Sequence, residues 1–226
     1  MVLMISAITD AGQLAGLRDR IAALEWRDGR ASAGPVAREV KHNLQAVMDS
    51  TVGRALEREV LELVADHPVV KAAAQPRRLA PLIISKTGDG GHYGLHVDNA
   101  LMAMRPGMRM RTDLSFTLFL TPPGDYDGGE LVVHTPGMVQ TIKGEPGQLV
   151  LYPSTSLHEV KPVTRGERIV CVGWIESLIA DAGQREILFD LENLRVALRQ
   201  KFGAGSIESL TLDKTIANLA RRWAQV

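Results

Sequence analysis

The sequence predicts a mainly β protein with flanking helices, an antiparallel sandwich or barrel. Three observations lead there. Between about residue 80 and residue 177, short β-rich runs alternate with Gly, Pro and Asp punctuation and no helical period separates them. From residue 9 to about 75 the apolar residues instead fall at helical spacing. From about residue 179 that helical spacing returns.

The elements follow in chain order. "MVLMISAI" is apolar but short, has no basic flank and runs into Thr9 and Asp10, so it reads as a first strand and not as a leader. Thr9 or Asp10 can cap a helix whose stripe is Leu14, Leu17, Ile21 and Leu24. A second stripe, Val52, Leu56, Val60 and Leu63, is stopped by the His67-Pro68 pair. These helices are expected to cover one outer face of a sheet. The β region is carried by "LIISKTGDGG", "LSFTLFLTPPGDYDGG", "ELVVHTPG", "QLVLYPS", "HEVKPVTRGE" and "RIVCVGWI". After it, Ile187, Leu191, Leu194 and Leu198 form one helical stripe and Leu212, Ile216, Leu219 and Trp223 another, joined through "KFGAGS". We expect residues 1–178 to form the chemical domain and 179–226 a helical appendage. The appendage packs on the barrel or offers a surface for a homo-oligomer.

Composition narrows the partners. The 226 residues are 45% hydrophobic and 23% charged, the profile of a globular chain able to bury a core. Lys plus Arg equals Asp plus Glu at 26 each, which argues against nucleic acid or an anionic membrane held by bulk charge. No apolar run is long enough to span a bilayer. The single cysteine, Cys171, cannot form an internal disulfide, and the expected compartment is a reducing cytoplasm.

"HYGLHVDN" places His96 and Asp98 two positions apart. On a strand, residues i and i+2 point to one face, so an imidazole and a carboxylate can meet at one point. Gly88, Gly90, Gly91 and Gly94 crowd the approach, as if side chains were kept out of a concave site. His158, sixty residues after Asp98, supplies a third candidate at the end of a strand-like run. Two histidines and one carboxylate leave open positions on an octahedral ion, the facial arrangement of non-haem Fe(II) oxygenases. Arg168 follows ten residues later, and alternation sets it on one face with Val170, Val172 and Trp174. A buried guanidinium among apolar neighbours needs an anion. An inter-strand ion pair to Asp113 or Glu130 would serve; a bound dicarboxylate gripped by the arginine fork would serve as well.

With these residues in view, the chain resembles the Fe(II)/2-oxoglutarate-dependent dioxygenases, in particular the bacterial PKHD-type hydroxylases of the prolyl 4-hydroxylase-like branch. "YGLHVDNA", "RTDLSFTLFL", "DYDGGELVV", "LVLYPSTSLHEVKPVTRGER" and "GWIESLI" carry the resemblance, which covers nearly the whole chain. It implies a double-stranded β-helix (jelly-roll) core with Fe(II) on His96, Asp98 and His158. It implies that 2-oxoglutarate chelates the iron and sets its far carboxylate on Arg168, with the Tyr93 hydroxyl as a further contact. O2 would be consumed, succinate and CO2 released, and an unactivated C–H of a small-molecule or peptide substrate hydroxylated. L-ascorbate as a rescuing reductant and a link to iron homeostasis belong to the same expectation. Thr87 departs from the pattern, standing near the place where a tyrosine is expected. Two other readings use the same ligands: a cupin-like Zn2+ or Mn2+ hydrolase or isomerase, and a non-catalytic sensor of 2-oxoglutarate or iron.

Other residues are weighed and set aside. His92 shares the strand parity of His96 and is a minor candidate for a role near the site. His134 reads as rim, and His42 and His67 carry no signal. "DYDGG" is a turn lacking the spacing of a Ca2+ loop. Cys171 reads as an inert core thiol. "MRPGMRMR", residues 104–111, reads either as a mobile lid or as a solvated loop.

Overall fold

The computed structural model describes residues 1–32, 38–88, 90–105 and 107–226. The chain opens with strand β1 (Leu3–Ser6) and helix α1 (Ala11–Ala22), capped by the Asp10 carboxylate, which accepts from the Gln13 amide at 2.6 Å. Three short strands follow where the sequence reads as helical: β2 (Trp26–Asp28), β3 (Lys41–His42) and β4 (Leu44–Ala46). Then come α2 (Thr51–Asp66), capped by Ser50, and α3 (Pro68–Ala74), which begins at the proline that ends α2.

The β region holds β5 (Pro76–Leu79), β6 (Ile83–Gly88), β7 (His92–His96), β8 (Leu101–Arg105), β9 (Met108–Arg111) and β10 (Leu114–Phe119). It continues with β11 (Asp127–Gly128), β12 (Leu131–Thr135), β13 (Met138–Ile142), β14 (Gln148–Pro153), β15 (Leu157–Val160), β16 (Val163–Arg165) and β17 (Glu167–Ser177). Helices α4 (Ala182–Phe202) and α5 (Ile207–Trp223) close the chain.

Two antiparallel sheets make the core. The larger runs β1-β14-β10-β17-β6-β4-β2, with β5 also paired to β17; the smaller runs β13-β12-β15-β7-β3. The outer face of the larger sheet is covered as expected: Leu17, Ile21, Leu56, Val60 and Val64 of α1 and α2 pack against Leu114, Phe116 and Leu118 of β10. This double coverage explains why all six residues of β10 are buried. Its inward positions, Ser115, Thr117 and Phe119, face the smaller sheet, and Phe119 forms a second apolar cluster with Leu131 and Val133 of that sheet and with Val150, Tyr152 and Val170 of its own. The architecture is the expected jelly roll.

Three local expectations need correction. The 104–111 stretch, outside Pro106, is not a plain loop, because β8 and β9 pair as a separate hairpin. In α4 the inward face is centred on Leu188, which packs with Ile179, Leu212 and Ile216; Leu191 and Leu198 of the expected stripe pack against this cluster, whereas Ile187 and Leu194 are exposed. The room beside Gly94 is filled by Val40 and not by a ligand, since a Cβ there would lie 2.8 Å from the Val40 Cβ.

Candidate metal centre and cosubstrate cavity

His96, Asp98 and His158 converge, with ligand atoms all within 4.8 Å of one another. Strand pairing does most of this. His158 of β15 stands directly opposite His96 of β7, and their ring centroids are 4.2 Å apart. Asp98 lies beyond the end of β7, so its direction is not set by strand alternation alone. A hydrogen bond holds it: the Ser115 hydroxyl donates to Asp98 Oδ2 at 2.6 Å. Ser115 has only one proton, so the 2.7 Å contact between Ser115 Oγ and Ser154 Oγ is donated by Ser154. The same carboxylate oxygen faces His158, whose Nε2 lies 3.7 Å from it.

Both imidazoles are held in the same tautomer. His96 Nδ1 lies 2.8 Å from the Gly94 carbonyl and His158 Nδ1 3.0 Å from the Ser156 carbonyl. A carbonyl can only accept, so each Nδ1 carries the proton and each Nε2 presents a lone pair to the centre. Burial and the neighbouring His158 push the His96 pKa down, which keeps that ring neutral. Neutral imidazoles and a carboxylate are the forms a divalent transition metal binds, so the three side chains fit such an ion.

The register of β15 with β7 contains a bulge. His158 faces His96 but Val160 faces Tyr93, so two steps on one strand span three on the other. The slip reverses side-chain parity upstream of His96. Tyr93, not His92, therefore enters the cavity and stacks on His96 at 3.6 Å. His92 instead faces outward beside His42, with ring centroids 4.7 Å apart. Burial, then the Asp98 charge, raises the Tyr93 pKa and keeps it a phenol.

Arg168 lines the same cavity and is 2% exposed. Neither anticipated protein partner takes it: Asp113 is held by Arg111 at 2.7 Å, and among the described residues Arg168 makes no ion pair, with Glu130 or any other carboxylate. Its Nε has no hydrogen-bond partner, and the Tyr126 hydroxyl is likewise buried and unpartnered. Gly129, at φ +68°, leaves the space that the arginine stem occupies: a Cβ there would sit 3.0 Å from Arg168 Cδ. The guanidinium lies over Phe119, 5.5 Å from the ring centroid. Burial pulls its pKa down, opposed chiefly by Tyr126 and Tyr152. Thr87 is directly opposite Arg168 in the β6–β17 register, so the departure noted in the sequence falls beside the clamp.

Several cavity residues are missing from the sequence reading: Lys41, Gln45, Ser115 and Tyr152. The signal for Ser115 was present, since "LSFTLF" alternates apolar residues with Ser115 and Thr117, which places two hydroxyls on the inward face. Lys41 and Gln45 lie where the sequence reads as helical, and their inward alternation has a period of two. Burial pushes the Lys41 pKa down to about 8, against the pull of Asp98. The cavity itself is about 100 Å³. It holds a compact molecule, given that one water needs at least about 10–15 Å³ measured in this way.

A facing pair of imidazoles and a carboxylate at the mouth of a jelly roll, with an arginine buried inside, places the protein among the 2-oxoglutarate/Fe(II) oxygenases. Residues 82–176 match the profile of the 2OG-Fe(II) oxygenase superfamily. Over 225 residues, 100% of both chains, the sequence is 48% identical to a PKHD-type hydroxylase of Hyphomonas neptunium. The chain belongs to the PKHD-type hydroxylases of that superfamily, and it is by that membership a 2-oxoglutarate-dependent hydroxylase. Fe(II) and 2-oxoglutarate are the cofactor and cosubstrate that the family implies. The fold agrees with solved structures. A prolyl hydroxylase of Trichoplax adhaerens in complex with a hypoxia inducible factor peptide fragment aligns at TM-score 0.59 and 15% identity, covering 77% of this chain and 83% of that one. A Pseudomonas putida prolyl-4-hydroxylase aligns at TM-score 0.53 and 20% identity, covering 78% and 92%. No helix of the described residues is long and apolar enough to cross a membrane.

Proposed function

We propose that the protein hydroxylates an unactivated C–H of a small-molecule or peptide substrate, consuming O2 and 2-oxoglutarate and releasing succinate and CO2. In this reading His96, Asp98 and His158 hold Fe(II), Arg168 receives the far carboxylate of 2-oxoglutarate, and Tyr93 offers its phenol to the cosubstrate. When bound, the iron supplies the activation of O2 that no side chain here can supply. The protein's own residues hold, orient and exclude water. The Nε2 lone pairs of His96 and His158 are aimed by their Nδ1 bonds to the Gly94 and Ser156 carbonyls. Ser115 fixes Asp98, and Phe119, Val170 and Tyr152 keep the inner wall dry. L-ascorbate as reductant, a cytoplasmic setting, a link to iron homeostasis, and a homo-oligomer through α4 and α5 complete the proposal. So does the division into a chemical unit, residues 1–178, and an appendage, 179–226.

The observation that carries the reading is Arg168: a buried cation without a protein anion, in the cavity that the three ligand side chains share. A hydrolytic metal site has no use for such a group, whereas a five-carbon dicarboxylate answers it with two parallel hydrogen bonds. The test is succinate formation by anaerobically purified protein given Fe(II), 2-oxoglutarate and O2. His158→Ala should abolish turnover, and Arg168→Ala should chiefly raise the KM for 2-oxoglutarate. Tight 2-oxoglutarate binding without succinate, across candidate substrates, would leave a sensor; turnover with Zn2+ and without O2 would leave a hydrolase.

A further inference from the structure

Four of the six histidines stand in two facing pairs, and strand β7 carries a member of each. On one edge of β7, His96 faces His158 of β15, the ligand pair already described. On the other edge, His92 faces His42 of β3 in the antiparallel register. Directly opposed residues on neighbouring strands hold their Cβ atoms about 4.5–5.5 Å apart, so two imidazoles set there can reach one point. The second pair repeats the first closely. Its ring centroids are 4.7 Å apart and its planes 38° from parallel, against 4.2 Å and 52° for His96 and His158. Two imidazoles that share one ion through nitrogen bonds of about 2.0–2.1 Å, at adjacent corners of a tetrahedron or octahedron, set their centroids about 4.5–5 Å apart. His42 and His92 already stand at chelating distance.

The chain holds this pair in place from several sides. A Cβ on Gly91 would lie 2.6 Å from the His42 carbonyl oxygen, so a glycine at that position lets β3 come close to the start of β7. Just past His42, the Asn43 side-chain amide donates to Ser85 Oγ at 2.6 Å, and the Asn43 carbonyl accepts from the Gly29 N–H at 2.9 Å. His92 Nδ1 lies 3.3 Å from the Gly90 carbonyl, which can only accept, so the proton sits on Nδ1 and Nε2 keeps its lone pair. The two rings lie outside the cavity of the metal centre and line a separate cleft of about 530 Å³, with Asp28 and Glu167 on its walls. Neither carboxylate is a ready third ligand: Arg30 donates to Asp28 at 2.8 Å, and Lys86 stands 3.5 Å from Glu167. Among the described residues the other two histidines face no second imidazole. His67 accepts from the Val69 amide, and His134 lies 4.0 Å from Glu159.

We propose that His42 and His92 form a second metal site, which takes a late first-row divalent cation, Zn2+ or Cu2+, with water completing the coordination. Neutral imidazole is a ligand these ions favour, and the cleft offers no free carboxylate that would draw Mg2+, Ca2+ or Mn2+ instead. An ion held by both rings ties β3 to β7. That pairing is short, since β3 has only the two residues Lys41 and His42, and Lys41 lines the inner cavity. Occupancy of the outer site therefore steadies one wall of the inner one, because an ion that binds only the paired arrangement stabilises it.

Zn2+ is the probe, and calorimetric titration counts the ions. The parent should bind two per chain, the metal centre filling first because it adds a carboxylate to its two imidazoles. His42→Asn and His92→Asn should each weaken the second ion by about tenfold or more, at least what the loss of an outer partner costs. His67→Asn, which removes a lone imidazole, should still bind two. Mn2+ affinity at the metal centre, read from the free-ion EPR signal, should stay within about twofold in all three variants, which separates loss of the outer ion from damage to the centre. In a His96→Ala/His158→Ala background one Zn2+ should remain and should slow hydrogen exchange of the amides of residues 41–46, and adding His42→Asn should remove that protection. Thermal melting checks folding, and the single substitutions decide the question where the double background fails to fold. A parent that takes up one Zn2+ only, or a second Zn2+ that survives His42→Asn or His92→Asn, overturns the proposal and leaves at most an adventitious ion. Equal loss in His67→Asn overturns it too, and exchange at 41–46 unmoved by Zn2+ overturns the clamp on β3.

Discussion

Ser115→Ala isolates what a residue outside the ligand set contributes to the metal centre. Ser115 is 1% exposed, donates to Asp98 Oδ2 at 2.6 Å and accepts from Ser154 at 2.7 Å. A hydrogen bond to a charged group is worth roughly 1.5–3 kcal/mol net. That sum does not all appear as metal affinity, because the bond exists with or without the ion. What appears is the cost of orienting Asp98, which lies past the end of β7 and has no strand geometry to aim it. The loss of such an outer partner lowers metal affinity by about 10- to 100-fold, and the lower end applies here because His158 and His96 remain aimed. Ser154→Ala leaves the Ser115–Asp98 bond in place and should cost no more than about threefold, well short of the loss of an outer partner. The assay is titration with Mn2+, following the free-ion EPR signal at fixed 2-oxoglutarate, with melting curves as a check on folding. Ser115→Ala affinity within about twofold of the parent, well inside the effect of an outer partner, would refute the reasoning, as would equal losses in the two variants.

Three further outcomes follow from burial and charge. Arg168→Met should stabilise the protein without metal or cosubstrate by about 1–4 kcal/mol in urea unfolding, since it removes a buried cation that has no protein anion, while erasing the stabilisation that added 2-oxoglutarate gives. Cys171, fully buried on β17, has its thiol pushed up to about 12 by burial. A raised folded pKa gives stability that is intact below the unfolded thiol's pKa and lost as pH rises toward the folded one. Between about pH 9 and 12 the parent should therefore lose about 1.4 kcal/mol per pH unit relative to Cys171→Ala, with no difference in slope at pH 6–8. Leu188→Ala should cost about 2–5 kcal/mol by opening a cavity among Ile179, Leu212 and Ile216 while leaving Mn2+ affinity unchanged; a matching loss of metal binding would show that the appendage and the barrel are one cooperative unit.

What the sequence disclosed and what it hid divide along physical lines. The sheets were legible because short β-rich runs, among them those of β10, β14 and β17, stand between Gly, Pro and Asp turns, and the helices because Leu17, Ile21, Leu56 and Val60 repeat at helical spacing. His96, Asp98, His158 and Arg168 were legible by chemistry: each is expensive to bury, so each asks for a reason. The bulge between β15 and β7 was not legible, since one unpaired residue leaves no trace in composition; it gives Tyr93 the inward place that simple alternation with His96 would give His92. β3 and β4 were hidden for the opposite reason. Their periodicity is clear, but it is inverted, with Lys41 and Gln45 inside and Leu44 outside, and a reading that seeks apolar stripes passes over a polar one. Polar residues on the inward face of a strand contribute nothing to a core. Here they line the cavity of the metal centre, so the part of the chain least legible as structure forms part of the wall around the candidate site.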